Sequence, residues 1–240
     1  MLMNLSNELV PIIYKKDMDK EATKFLMRYC PEALETPIPV PVEDIAELKM
    51  NLEIDYVNID RGLDTLGMML FSDGQVELYD KETDNYIRRD YKKGTLLIES
   101  DIFDTGNRGR ERFTITHEMV HWDKHQLRFM TLSYKDKATA KACRCPQEKV
   151  YNPKTPEEWM EWQADNLAAA ILMPAEMFKQ KAEELKDQYQ VGHRINDFMW
   201  QGYSSEIIKG IIIGELANTF QVSKQAADIR VNTLGIHILE

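Results

Sequence analysis

Three histidines stand four residues apart in the stretch FTITHEMVHWDKH (113–125), at positions 117, 121 and 125, and Glu118 follows the first. On an α-helix, residues i and i+4 share a face about 6 Å apart along the axis. His117 and His121 can therefore offer two ring nitrogens to one metal ion. Glu118 is turned about 100° from His117, so it stands beside that ion rather than on it. A metal-activated water needs this arrangement: two neutral ligands and a nearby carboxylate to take its proton. His125 lies about 12 Å along the axis from His117, too far for those two to share an ion on an unbroken helix. Of the pairs, only 117/121 has the glutamate correctly placed.

A catalytic zinc keeps three protein ligands and one open position, so a third ligand is required. The H-x-x-G-x-x-H extension of one zinc-protease class would need Gly at 124 and His at 127. The chain has Lys124 and Leu127 there, which excludes that class. A carboxylate on a second helix is the alternative, and EWQAD supplies Glu161 with Asp165 one turn later. Glu161 can ligate while Asp165 accepts the free ring N–H of a ligand histidine. The helix dipole accounts for Glu157 and Glu158 in a first turn, but it does not require Glu161.

These residues need elements to hold them. TPEEWMEWQADNLAAAILMP predicts a helix with Thr155 as N-cap, Pro156 at the first helical position and Glu158 completing a capping box. Pro174 ends it, and AEMFKQKAEELKDQY begins another helix. Small residues at 164, 168, 169 and 170 favour close approach of a neighbour. A helix over KKDMDKEATKFLMRYC, a proline-rich connector TPIPVP and a helix over VEDIAELKMNL precede the site. Between 54 and 100, LGMMLF, QVELYD, NYIRRDY and TLLIES predict a small, mostly antiparallel sheet, with TLLIES (95–100) as a substrate-pairing edge. DIFDTGNRGR (101–110) reads as a polar loop and the basic stretch 135–149 as a solvated one. The expected domains are residues 1–190, with 1–41 as N-terminal helix and linker, and a helical segment 191–240. The overall class is α+β.

RERFTITHEMVH followed by EWQADNLAAAILMP resembles the ImmA/IrrE family of metallo-endopeptidases. Its pattern is R-x-R-F-T-x-x-H-E-x-x-H, then E-x-x-A-x-x-x-A-x-x-L-L-M-P, with Ile171 here where leucine is commoner. The resemblance implies a zincin-like fold: a small twisted sheet over the motif helix and a second helix delivering the glutamate. It implies His117, His121 and Glu161 as zinc ligands and Glu118 as general base. It also implies a substrate class, a helix-turn-helix transcriptional repressor. A non-catalytic zinc-fold protein that binds a repressor or antitoxin is the competing expectation. Glu118 argues for the enzyme, because a structural site needs no base. His193, Arg194 and Tyr203 are candidate hydrogen-bond donors to the developing oxyanion. The donor set leaves zinc and manganese both open.

The 240-residue chain is 43% hydrophobic and 29% charged, enough for a packed core. A net charge of −10 argues against a general nucleic-acid binder. ELANTFQVSKQAADIRVNTLGI (215–236) has a helix-turn-helix outline, with Ser223 as N-cap, but Gln221 stands where glycine is usual. Residues 203–240 hold three Lys/Arg against four Asp/Glu, so substrate docking or structure is expected there rather than DNA contact. Apolar runs are too short to span a membrane. Three cysteines, with Cys143 and Cys145 as a weak C-x-C, suit free thiols and a cytoplasmic address. Trp159 and Trp162, flanking Glu161, are expected to line core and site.

Overall fold

The computed structural model describes residues 5–104, 108–133, 142–146, 152–194 and 205–238. The chain is mixed α+β and divides into two compact units, residues 1–18 with 41–168, and 19–40 with 169–240. Among the described residues, no helix is long and apolar enough to cross a membrane.

The first unit is built on a four-stranded sheet in the order β1-β5-β2-β6: Glu53–Val57, Thr95–Glu99, Thr65–Leu70 and Ala142–Pro146. β1 runs parallel to β5, and the β5–β2 and β2–β6 pairs are antiparallel. A separate hairpin joins β3 (Gly74–Asp80) to β4 (Asn85–Tyr91). Alternation divides the sheet's side chains. Met68, Leu70 and Leu97 pack with Val76 and Leu78 of the hairpin. The paired positions Gly67/Ile98 and Met69/Leu96 face the other way, toward α4 (Arg108–Lys124), which packs on β2, β5 and β6. Residues 111, 112 and 114–121 of α4 are buried, so it is a core helix rather than one with a solvent face.

Around this lie α2 (Val42–Asp44), continued by a π-helical turn Ile45–Lys49, then α3 (Ser100–Asp104) and α5 (Gln126–Ser133). The forward part of α6 (Pro156–Leu172) completes the unit. The α6 start follows the capping box: the Glu158 N–H donates to Thr155 Oγ1 at 3.1 Å and the Thr155 N–H to Glu158 Oε2 at 3.2 Å.

The second unit contains nearly all of α1 (Met18–Tyr29), with α7 (Ala175–Arg194), α8 (Ser205–Phe220) and α9 (Lys224–Thr233). Its core joins Phe178 and Leu185 of α7 to Ile212, Leu216 and Phe220 of α8 and to Ala227 and Val231 of α9. The two units divide at 168/169, and α7 buries its apolar face against α8. Gln221 takes the left-handed conformation at φ 51° that the turn requires, and Ser223 caps α9 by accepting from the Ala226 N–H at 3.1 Å.

Three expectations are corrected. TLLIES is not an edge, because β5 lies between β1 and β2, and all five of its residues are buried. The stretch 135–149 is not wholly loop, because 142–146 pairs with β2 as the sheet's edge. Residues 101–110 are not one loop: 101–104 belong to α3, and α4 already begins at Arg108.

Candidate metal centre

Two helices of the first unit meet at the motif. α4 carries His117 and His121 one turn apart, both essentially inaccessible to solvent. α6 carries Glu161 and Asp165, also one turn apart. His117 Nε2 lies 3.1 Å from Glu161 Oε2, His121 Nε2 lies 3.4 Å from Glu161 Oε1, and the two Nε2 atoms are 2.9 Å apart. Donor atoms about 2.0–2.1 Å from a tetrahedral ion sit roughly 3.3 Å from one another. The observed spacing fits a shared cation, and these three residues can together hold a metal ion.

Polarity at the rim supports the fit. His117 Nδ1 lies 3.0 Å from Asp165 Oδ1. A carboxylate only accepts, so Nδ1 carries the proton and Nε2 presents its lone pair to Glu161. Two electron-pair acceptors at contact distance call for positive charge between them. Burial would raise the Glu161 carboxyl, but the imidazoles of His121 and His117 outweigh it and hold Glu161 well below the usual carboxylate range. Burial lowers His121, against the pull of Glu161, and pushes His125 well below an ordinary histidine, with His121 adding to the effect. His121 is therefore neutral near pH 7, the form that ligates.

Glu118 is fully buried on the face of α4 that meets β2. A Cβ built on Gly67 would come 2.6 Å from Thr114 Cγ2, 3.1 Å from Glu118 Cγ and 3.0 Å from Glu118 Oε1. The absent side chain at 67 is what allows α4 and its glutamate to lie this close to the strand. An isolated glycine inside a strand pattern was the available signal.

The structure thus brings together His117, His121, Glu161 and Asp165. His125 is fully buried beside them, with its Nδ1 2.9 Å from His121 Nδ1. Trp159 is 41% exposed and edge-on to Trp162, so it is not a core residue. His193 and Arg194 end α7 with side chains outside the described residues, as are those of Cys143 and Cys145, and Tyr203 lies wholly outside them. Cys30 is a buried thiol.

A small mixed sheet over an H-E-x-x-H helix, with a second helix delivering a glutamate beside both histidines, defines a zincin-like metallopeptidase domain. Residues 102–232, more than half the chain, match the IrrE N-terminal-like domain, a peptidase family, and the chain belongs to that family. No curated protein matches the sequence.

Proposed function

We propose that the protein is a zinc-dependent endopeptidase of narrow specificity that cleaves a helix-turn-helix transcriptional repressor. The observation that carries the reading is the convergence of two buried imidazole nitrogens, 2.9 Å apart, on the two oxygens of the Glu161 carboxylate, at 3.1 and 3.4 Å. His117, His121 and Glu161 are the ligands and Asp165 orients His117. When bound, zinc would supply Lewis acidity, polarising a peptide carbonyl and lowering the pKa of water toward about 7.

The chain's own residues supply the rest. Glu118 accepts the proton of the attacking water as the C–O bond forms, then delivers it to the leaving amine nitrogen as the C–N bond breaks. Its burial at Gly67 limits its rotamers, which suits a base that must meet one proton in one place. An extended substrate pairs with the outer edge of β6, the edge strand against which α4 packs. A repressor substrate puts the enzyme in the cytoplasm.

The C-terminal helices serve docking or structure rather than DNA reading. Arg230 of α9 is turned inward, donating from Nε to the Met173 carbonyl at 3.0 Å and pairing with Asp19, and so is withheld from any phosphate.

The test mixes purified protein with candidate helix-turn-helix repressors from the same genome, with and without a chelator. Cleavage should require metal, and Glu118→Gln should keep its metal while losing cleavage. Cleavage by that variant removes the assigned base. A repressor that is bound but left intact by the metal-loaded protein favours an interaction protein instead.

A further inference from the structure

His125 begins where α4 ends, yet its N–H still donates to the His121 carbonyl at 2.9 Å. The helical path therefore continues, and the two rings lie with centroids 4.9 Å apart. Beyond it the contacts form a line. His121 Nδ1 meets His125 Nδ1 at 2.9 Å, His125 Nε2 meets Gln163 Oε1 at 3.1 Å, and Gln163 Nε2 donates to the Pro11 carbonyl at 2.7 Å. His121, His125 and Gln163 are all buried.

The direction of every bond in that line follows from its far end. The Pro11 carbonyl can only accept, so the Gln163 amide turns its NH2 toward Pro11 and its oxygen toward His125. His125 Nε2 must then carry a proton. A second proton on His125 Nδ1 would make it a cation with no access to solvent, at a steep desolvation cost. The one proton between the two Nδ1 atoms therefore belongs to His121. With Nδ1 protonated, neutral His121 has its lone pair on Nε2, which faces Glu161 and His117.

We propose that His125 and Gln163 are positioning residues that hold His121 in its metal-binding tautomer, with the Pro11 carbonyl as the terminal acceptor that sets the direction of the whole line. This rests on reading His121 as a ligand. The two ligand histidines are then oriented by different means. His117 has an anionic partner in Asp165, while His121 has a neutral chain that ends on a backbone carbonyl 152 residues away in sequence from Gln163.

That carbonyl is itself held. Residues 5–11 form a tight turn in which the Ser6 N–H donates to the Val10 carbonyl at 2.8 Å and Leu5 bridges to Pro11. Arg128, one turn beyond His125, donates to the Glu8 carbonyl at 2.8 Å and to the Glu8 and Glu157 carboxylates. The N-terminal segment thus belongs to the metal site's support rather than to a linker.

The test has two arms. In the first, wild-type protein labelled with 15N in its histidine rings is studied metal-free by long-range 1H–15N NMR. The expected pattern is Nδ1–H with bare Nε2 at His121 and the reverse at His125. Nε2–H at His121 overturns the proposal, and this arm needs no variant. In the second arm, zinc affinity is measured by competition with a fluorescent chelator. Gln163→Met leaves His125 Nε2–H without an acceptor and should weaken zinc binding about 10–100-fold, with His121 becoming a mixture of tautomers. Unchanged affinity and an unchanged His121 pattern in that variant overturn the proposal and leave the metallopeptidase reading standing. A wild-type protein that binds no zinc overturns both.

Discussion

Replacing Gly67 with alanine tests how closely the catalytic geometry depends on one missing side chain. The new Cβ would lie 2.6 Å from Thr114 Cγ2, and 3.1 and 3.0 Å from Glu118 Cγ and Oε1. The first contact is about 1 Å inside ordinary carbon–carbon van der Waals separation. Thr114 is buried on a rigid helix, so relief requires α4 or β2 to move. Overpacking of this kind costs about 1–3 kcal/mol, offset by about 0.5–1 kcal/mol because alanine loses less backbone entropy than glycine in a strand. The net loss of up to about 2.5 kcal/mol should lower Tm by up to roughly 10 °C in a domain of this size. Activity should fall further, because displacing a catalytic group by 1 Å can cost about 100-fold. Thr114→Ser removes the offending methyl and keeps the hydroxyl that donates to the Arg110 carbonyl. The double variant should therefore regain most of the stability and less of the activity, since the contacts to Glu118 persist. Thermal denaturation and repressor cleavage read the two effects separately. A Gly67→Ala protein with wild-type Tm and rate would refute the packing argument.

Three further outcomes are expected. Asp165→Asn, which takes the anion from His117 Nδ1, should weaken zinc binding about 10–100-fold in chelator competition while leaving the fold intact; affinity within twofold of wild type would contradict its role. Thr155→Ala, which opens the α6 capping box, should cost about 1 kcal/mol in urea denaturation, and no loss would show the cap to be idle. The metal-free protein should lose stability on acidification. His121 and His125 are lowered in the folded state, so the unfolded chain takes up protons first as pH falls below about 6.5. Stability is full above that value and declines below it, by up to about 2.7 kcal/mol per pH unit with two such groups. Denaturation at pH 7.5 and 5.5 checks this, and equal stability would place both imidazoles in solvent.

Local signals carried most of what was legible in the sequence. The H-E-x-x-H spacing, the Thr155–Glu158 box and the one-turn separation of Glu161 from Asp165 are all set within a helical turn or two, and the geometry matches them. Tertiary pairing was harder to read. β6 is five residues, ACRCP, between Lys141 and Gln147, and only its register against β2 makes it a strand. The interior place of β5 does have a local signal, because TLLIE without alternation is the pattern of a strand covered on both faces. His125 stands too far from His117 to share its ion, but the same four-residue interval marks it as a neighbour for His121. Gln163 and Pro11 offered no local signal, since their contact joins residues far apart in the chain.

The most direct test of the central claim is X-ray absorption at the zinc edge of the protein loaded with one equivalent. Two imidazole nitrogens and one carboxylate are expected among four light-atom ligands at about 2.0–2.1 Å, with the carboxylate contribution lost in Glu161→Ala. Sulfur in the first shell, or a spectrum that Glu161→Ala leaves unchanged, would contradict it.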